Sequence, residues 1–381
     1  MGPVAVGICK AQKQLGCNSV IWSLDSSSVV RKAAQTNGLN LKDVRSFDVL
    51  GPRRIGYSPS MEHRVLTQKE SRFDIIHQHS IWLAISRVTN RWRDASSKPT
   101  VVAPHGTLEA YALKRSWWKK RLALWGYEMD NLTHAACLHA TSNTEATSFR
   151  NFGLKNPIAV IPNGVPGECL KRHGDAARFR SRFSIPSDKR LLLFLSRIDP
   201  KKGLPLLFKA MKQLDGELEE WLLVIAGFEY KHGYRREIEQ LGKRLKISKK
   251  IIFTGPLFGQ DKDDGFAASD MLVLPTHSEG FGMIVVDALA AGVPVLTTHG
   301  APWEELISHN CGWWAEINEQ GICNALQDAV NRPKQELIEM GARGRVLVEE
   351  RYIWIQVTKM TIELYRWLLG CGSTPSFVFK D

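Results

Sequence analysis

Asp270–Thr298, DMLVLPTHSEGFGMIVVDALAAGVPVLTT, is the stretch whose reading decides the fold. It opens with a short apolar run closed by Pro275 and ends with another, PVLTT, so two buried strands bracket a helix-length insert. The expected unit is β-α-β. Between the first strand and the helix stands His277-Ser278-Glu279-Gly280-Phe281-Gly282. Its two glycines let backbone N–H groups approach a ligand, and the helix starting at Met283 presents unpaired amides and a positive dipole end, so the loop reads as an anion site. Two carboxylates qualify this: Glu279 lies in the loop, and Asp287 lies four residues beyond Met283 on a similar helix face. A carboxylate repels phosphate but accepts strongly from hydroxyls. A ligand satisfying all these groups carries phosphate in the middle and hydroxyl-rich rings on either side, as a nucleoside-diphosphate sugar does. The plainer alternative is an ordinary α/β loop whose Glu complements the helix dipole.

Composition sets the bounds. A chain of 381 residues, 44% hydrophobic, suffices for two domains with ordinary cores. Its seven cysteines are odd in number and include no Cys-x-x-Cys, which argues against a disulfide framework or a zinc site and points to a reducing cytoplasm. The apolar runs LLLFL and WLLVIAG are only strand-sized, and the N-terminus has no charged-then-apolar signal pattern. The net charge of +12 favours anionic partners such as nucleotide sugars or anionic lipid headgroups. Because the basic residues are scattered and no nucleic-acid module is recognisable, nucleic acid is not an expected partner.

Along the chain, residues 2–16 read as a helix entered through Gly2-Pro3 and ended by Gly16, followed by the strand NSVIWSLD. Residues 40–71 are polar and punctuated by Pro and Gly, with room for one strand and one helix. DIIHQHSIW (74–82) is a buried strand carrying His77 and His79 at its C-terminal end, where open α/β sheets place ligand crevices. Each is either a ligand group or a satisfied packing histidine. PTVVAPHGTLEAYAL (99–113) reads as a strand, a turn at His105-Gly106 and a new helix with Glu109 in its first turn, where an acid also complements the dipole. KRSWWKKRLALW (114–125) interleaves five basic residues with three tryptophans, suiting either a lipid surface or a solvated helix with its tryptophans in the core.

In LHATSNTEATSFRNFGL (138–154), Ser142 and Glu145 have capping-box spacing, which accounts for Glu145 structurally. After IAVIPNGV (158–165) the composition turns polar and basic, and the domain boundary belongs there. The second domain opens with KRLLLFLSRIDPKKGL (189–204), a strand followed by two cations, Arg197 and Lys202, at the same kind of strand end as Glu279. WLLVIAGFE (221–229) and IIFTGPL (251–257) are further strands. Asp261-Lys262-Asp263 reads as polar loop, a last helix covers 352–370, and the tail CGSTPSFVFKD reads as frayed.

EGFGMIVVDALAAGVPV (279–295) resembles the Glu-x7-Glu signature of the retaining GT-B glycosyltransferases of family GT4, with Asp287 standing for the second acid. Arg197-x4-Lys202, His79 before an aromatic, His105 after its strand, Pro302-Trp303-Glu304-Glu305-Leu306 and Gly312-Trp313-Trp314 are similar too. The resemblance, strongest from Arg197 onward, implies an α/β GT-B fold: two Rossmann-like domains facing a central donor crevice. These are an acceptor domain at 1–165 and a donor domain at 166–350, with a helix at 351–370 that packs back on the first domain. It implies catalytic roles for Glu279 and His105 at the sugar and for Arg197 and Lys202 at the diphosphate. Asp287 would reach the ribose with a side chain shorter by ~1.5 Å. Gly2, Gly227, Leu257, Gly280, Phe281, Gly282 and Met283 fall at donor-binding positions, and His79 and Glu109 on the acceptor side.

The activity so implied moves a hexose from a UDP-sugar, UDP-glucose foremost, with retention and without metal or cofactor. The acceptor would be a growing cell-envelope polysaccharide, as in exopolysaccharide or lipopolysaccharide biosynthesis, or a lipid-linked saccharide. That acceptor chemistry suits a cytoplasmic protein peripheral on the inner face of the plasma membrane. A nucleotide-sugar epimerase of the same fold and a non-catalytic nucleotide-sugar binder are the competing readings. In the family the Gly2-Pro3 helix follows a first central strand and a glycine-rich loop, so a preceding N-terminal piece is expected.

Overall fold

The computed structural model describes residues 2–67, 73–109, 112–113 and 117–380, which form two compact units, Met1–Gly164 with Trp354–Asp381, and Val165–Ile353.

In unit 1, strands β1 (Ile21–Ser23) and β2 (Val44–Ser46) pair in parallel as a small sheet of their own. Strands β3 (Ile76–His79), β4 (Thr100–Ala103), β5 (Cys137–Ala140) and β6 (Ile158–Val160) run parallel side by side in that order. Every residue of β4 and β5 is buried, as expected of parallel strands covered on both faces by crossover helices. No strand joins the β1–β2 pair to β3 among the described residues.

The tail departs from the sequence reading. Val378–Phe379 adds an antiparallel strand to β6, with Val378 buried, because β6 would otherwise present an open apolar edge. The helix Trp354–Leu368 belongs to unit 1 and packs on the helix Gly2–Gln14. Gly7 and Gly164 make room for the Trp354 indole: a Cβ at either position would lie 2.1 and 2.7 Å from its ring atoms.

Unit 2 holds strands β7 (Arg190–Leu195), β8 (Trp221–Ala226), β9 (Ile251–Phe253), β10 (Met271–Leu274), β11 (Val295–Thr298) and β12 (Gly312–Ala315). All are parallel, in the spatial order β9-β8-β7-β10-β11-β12. That is a doubly wound Rossmann order, and it reverses between β7 and β10, the place where ligands bind beyond the carboxyl ends of the strands. Leu191 to Phe194 and Met271 to Leu274 are fully buried, so the two strands flanking the reversal are enclosed on both faces. The β-α-β expected of Asp270–Thr298 is present as β10, the helix Met283–Ala290 and β11. One local reading is corrected: Asp261-Lys262-Asp263 lies in the first turn of the helix Gln260–Ala268, where its acids complement the dipole, and not in a loop.

Candidate active site

At the reversal point of unit 2 the loops after β7 and β10 are bound to each other through their backbones. The Lys201 carbonyl accepts from the His277 N–H at 2.8 Å and from the Thr276 hydroxyl at 3.1 Å. Gly203 must be glycine on two counts: its φ is +70°, and a Cβ would lie 1.8 Å from the Pro275 carbonyl oxygen. Gly227 likewise admits the Ser196 carbonyl at the end of β7. These contacts bring Lys202, in the single turn Pro200–Lys202, against Glu279, and the Lys202 ammonium donates directly to the Glu279 carboxylate. Both side chains are largely buried, at 7% and 16% exposure, so the pair is held in place and poorly screened by solvent.

Beyond Glu279 the chain turns into its helix at Gly282, φ +86°, and Met283 is the first helical residue. The Phe281 ring is buried against Trp303, whose indole N–H donates to the Phe281 carbonyl at 2.6 Å, so the loop is pinned from behind. Asp287 pairs with Lys262 at 3.1 Å and lines, with Arg172, Phe266 and Arg345, a cavity of about 170 Å³. Arg197 is exposed, with its guanidinium over the Tyr230 ring at 4.5 Å. The Ile198 N–H donates to the Phe228 carbonyl and the Tyr230 N–H to the Ile198 carbonyl, which prolongs the β7–β8 ladder and sets that stacking. Leu257 is buried and packs on Gly265, leaving its backbone for any ligand contact.

In unit 1 the strand ends gather histidines. His77 and His79 stack at 4.5 Å, and His79 lies nearly parallel to His105 with ring centroids 5.2 Å apart. His139 on β5 meets His77 across β4, whose small Ala103 is in register with His79. The ring bonds are His79 Nδ1 to His105 Nε2 at 2.9 Å, His139 Nδ1 to His77 Nε2 at 3.1 Å, and His77 Nδ1 to the Tyr365 hydroxyl at 2.7 Å. Burial drives these imidazoles neutral: His139 falls to about 4, His79 to about 3 with His139 adding to the effect, and His105 to about 2 with His79 adding to it.

His105 itself has a left-handed φ of +55° in the turn before Gly106. That turn is anchored by Glu145, which accepts from the Gly106 N–H at 2.5 Å and from the Thr141 N–H at 2.8 Å. Glu145 is therefore more than the capping residue its spacing suggests: Ser142 does cap Glu145's amide, but the carboxylate ties the loops after β4 and β5 together. The fully buried Glu128 serves the loop after β3 in the same way, accepting from the Trp82 N–H at 2.7 Å and from the Ser86 hydroxyl at 3.0 Å.

The structure thus brings together Lys202, Glu279 and the Met283 helix start in unit 2, and His79 with His105 in unit 1. Gly2 begins the first helix with open space about it, and Gly280 lies in the Glu279 loop. Glu109 closes the His105 turn, and part of the helix expected after it lies outside the described residues. His139, Tyr365 and Tyr230 escaped sequence reasoning, since each acquires its meaning from a contact remote in the chain. Among the described residues no group of three or more His, Cys, Asp or Glu side chains is placed to hold a metal ion.

Residues 1–164 match the family model of glycosyl transferase 4-like domains, and residues 175–345 that of glycosyl transferases group 1. Anabaena Alr3699/HepE in complex with UDP and glucose superposes over 95% of each chain with a TM-score of 0.72, at 18% identity. The fold is GT-B. Each half of this GT-B chain carries a glycosyltransferase-family domain, in agreement with the expected fold class. Among curated relatives, a D-inositol 3-phosphate glycosyltransferase of Saccharomonospora viridis is 29% identical over 78% of this chain and 71% of its own length. A lipopolysaccharide 1,2-N-acetylglucosaminetransferase of Salmonella typhimurium is 26% identical over 53% of this chain and 54% of its own length. The chain spans about half the length of several of the curated relatives it matches.

The Lys202–Glu279 contact makes a stability prediction. Glu279→Gln leaves a buried ammonium without its counter-charge and should cost about 3 kcal/mol. Glu279→Gln with Lys202→Met should cost less than the two single changes added together. Urea unfolding of the three variants measures the coupling; strictly additive losses would show that the pair is not coupled.

Proposed function

We propose that the chain transfers a hexose from a nucleoside-diphosphate sugar, with retention of configuration, to a cell-envelope saccharide or a lipid-linked saccharide. The observation carrying this reading is the Lys202–Glu279 pair at the order reversal of the unit 2 sheet, beside the N-terminus of the Met283 helix. Lys202 and Arg197, with the helix amides, supply positive charge to the donor diphosphate, so catalysis does not call for a divalent ion. Glu279 accepts from hydroxyls of the sugar, and His105 is the second group assigned to the sugar. Asp287 takes the ribose, with Lys262 beside it. The UDP- and glucose-bound relative supports a uridine nucleotide.

As the bond between the anomeric carbon and the phosphate oxygen breaks, the acceptor oxygen bonds to that carbon on the same face. The acceptor proton passes to the departing phosphate. Charge therefore accumulates on the diphosphate in the transition state, and groups aimed at it act on turnover more than on binding.

The lipid-linked acceptor agrees with the helix Trp117–Ala123 and the turns after it. Trp117, Trp118, Leu122 and Trp125 are exposed, Trp125 at 91%, rather than packed in the core, and Lys119 and Arg121 lie over the Trp118 and Trp117 rings. Aromatic and basic groups in this arrangement suit an anionic membrane surface. No helix among the described residues is long and apolar enough to cross a membrane.

Two measurements test these readings. In steady-state kinetics with UDP-glucose, Arg197→Ala and Glu279→Ala should lower kcat by about a hundred- to a thousandfold. Asp287→Ala should mainly raise KM, because a ribose contact is remote from the breaking bond, and Asp287→Glu should be tolerated. Near wild-type kcat in Arg197→Ala and Glu279→Ala would remove the assignment. Co-sedimentation with liposomes should require anionic lipid, weaken with salt and drop in Trp118→Ser/Trp125→Ser; binding indifferent to both lipid charge and salt would rule out the surface.

A further inference from the structure

The histidines of unit 1 carry more information than their positions, because most of their protons can be placed. The Ile161 carbonyl can only accept, so His139, 2.7 Å away through Nε2, carries its proton there. His139 is neutral, so its Nδ1 is a lone pair and accepts from His77 Nε2–H. His77, held well below its ordinary pKa by burial and by the neighbouring histidines, is then a lone pair at Nδ1 and accepts the Tyr365 O–H. The Gln12 amide donates to the Tyr365 oxygen at 3.4 Å, closing the series. Both nitrogens of His77 are thereby used, and His77 offers His79 only the face of its ring.

His79 and His105 differ from this fixed series. They share one ring-to-ring bond, at 2.9 Å, and neither ring makes another hydrogen bond among the described residues. With both rings neutral, a single proton lies between them and two arrangements remain. If His79 donates through Nδ1, both rings are Nδ1–H, and the outer nitrogens are an acceptor on His79 Nε2 and a donor on His105 Nδ1. If His105 donates through Nε2, both rings are Nε2–H, and the two outer nitrogens exchange character.

We propose that His79 and His105 form one coupled tautomeric pair, in which His79 is a positioning residue that sets whether His105 presents a proton or a lone pair at Nδ1. The pair offers its ligand one donor and one acceptor, and the two exchange only together. That is the complement of a polyol, since each sugar hydroxyl both donates and accepts, whereas two independent imidazoles could present two donors or two acceptors. The fixed His77 ring, stacked on His79, holds the pair in orientation without dictating its tautomer. This inference rests on the reading that His105 meets the sugar.

The test is long-range ¹H–¹⁵N NMR of the full chain labelled with ¹⁵N-histidine, at neutral pH, with and without UDP-glucose. His77 and His139 should be Nε2–H tautomers throughout, and His79 and His105 should share one tautomer and change, if at all, together. In His79→Phe, which keeps a ring on His77 but leaves His105 Nε2 without a partner, the His105 tautomer should become mixed and kcat should fall about 10- to 100-fold with little change in KM. His79→Asn, whose amide occupies the place of Nδ1, should keep most of kcat. Opposite tautomers in His79 and His105, an imidazolium in either, or an unchanged His105 signal in His79→Phe would overturn the proposal. The spectra need no turnover: matched tautomers in a chain that transfers no sugar would defeat the activity reading alone, and transfer with opposite tautomers would defeat the pair alone.

Discussion

The constraint on which unit 2 depends is the reversal of strand order between β7 and β10. Crossover helices on a parallel sheet leave in opposite directions from that point, so the carboxyl ends of these two strands are the place where the chain does not cover itself. Each loop that ends there has to be short and held down, because its backbone groups have no neighbouring helix to pair with. Lys201 meets that need through its carbonyl and Gly203 through its lack of a side chain. The buried Lys202–Glu279 contact follows from the same closeness. An ion pair so enclosed gives little net stability, because desolvation of the two charges offsets most of their attraction.

Unit 1 solves a similar problem with buried carboxylates. The strand ends of β3 and β4 carry loops that turn sharply, and Ser80, Trp82 and His105 all take left-handed φ values there. Strain of this kind persists only where surroundings enforce it. Glu128 and Glu145 do so, each buried and each accepting from backbone N–H groups of the loops. Burial raises both carboxyl pKa values, and the bonds from Asn131, Trp82 and Ser86 to Glu128, and from Thr141 and Gly106 to Glu145, oppose the rise.

Much of the site in unit 2 was legible because its signals are local. Arg197, Lys202 and Glu279 each follow an apolar strand within a few residues, and the spacing Glu279 to Asp287 is visible in a single window. What escaped was set by distance. His77 meets Tyr365 across 288 positions, and Gln12 meets Tyr365 across 353, so no window could suggest a column of fixed imidazoles. From the sequence Lys262 reads as loop because Gln260–Ala268 has almost no amphipathic pattern, and its partner Asp287 lies 25 residues on. The tail looked frayed because only two residues pair, and what orders them is the exposed edge of β6 rather than their own sequence.

The central claim is that the reversal point of unit 2 binds a nucleoside-diphosphate sugar through Lys202. Thermal unfolding with a panel of UDP-, GDP- and ADP-sugars tests it directly, since a ligand bound only by the folded chain stabilises it by about 2.7 kcal/mol at a hundred times Kd. At least one UDP-sugar should raise Tm in the wild-type chain, and the rise should vanish in Lys202→Met. A Tm unmoved by every donor, or a rise of equal size in Lys202→Met, would contradict the account.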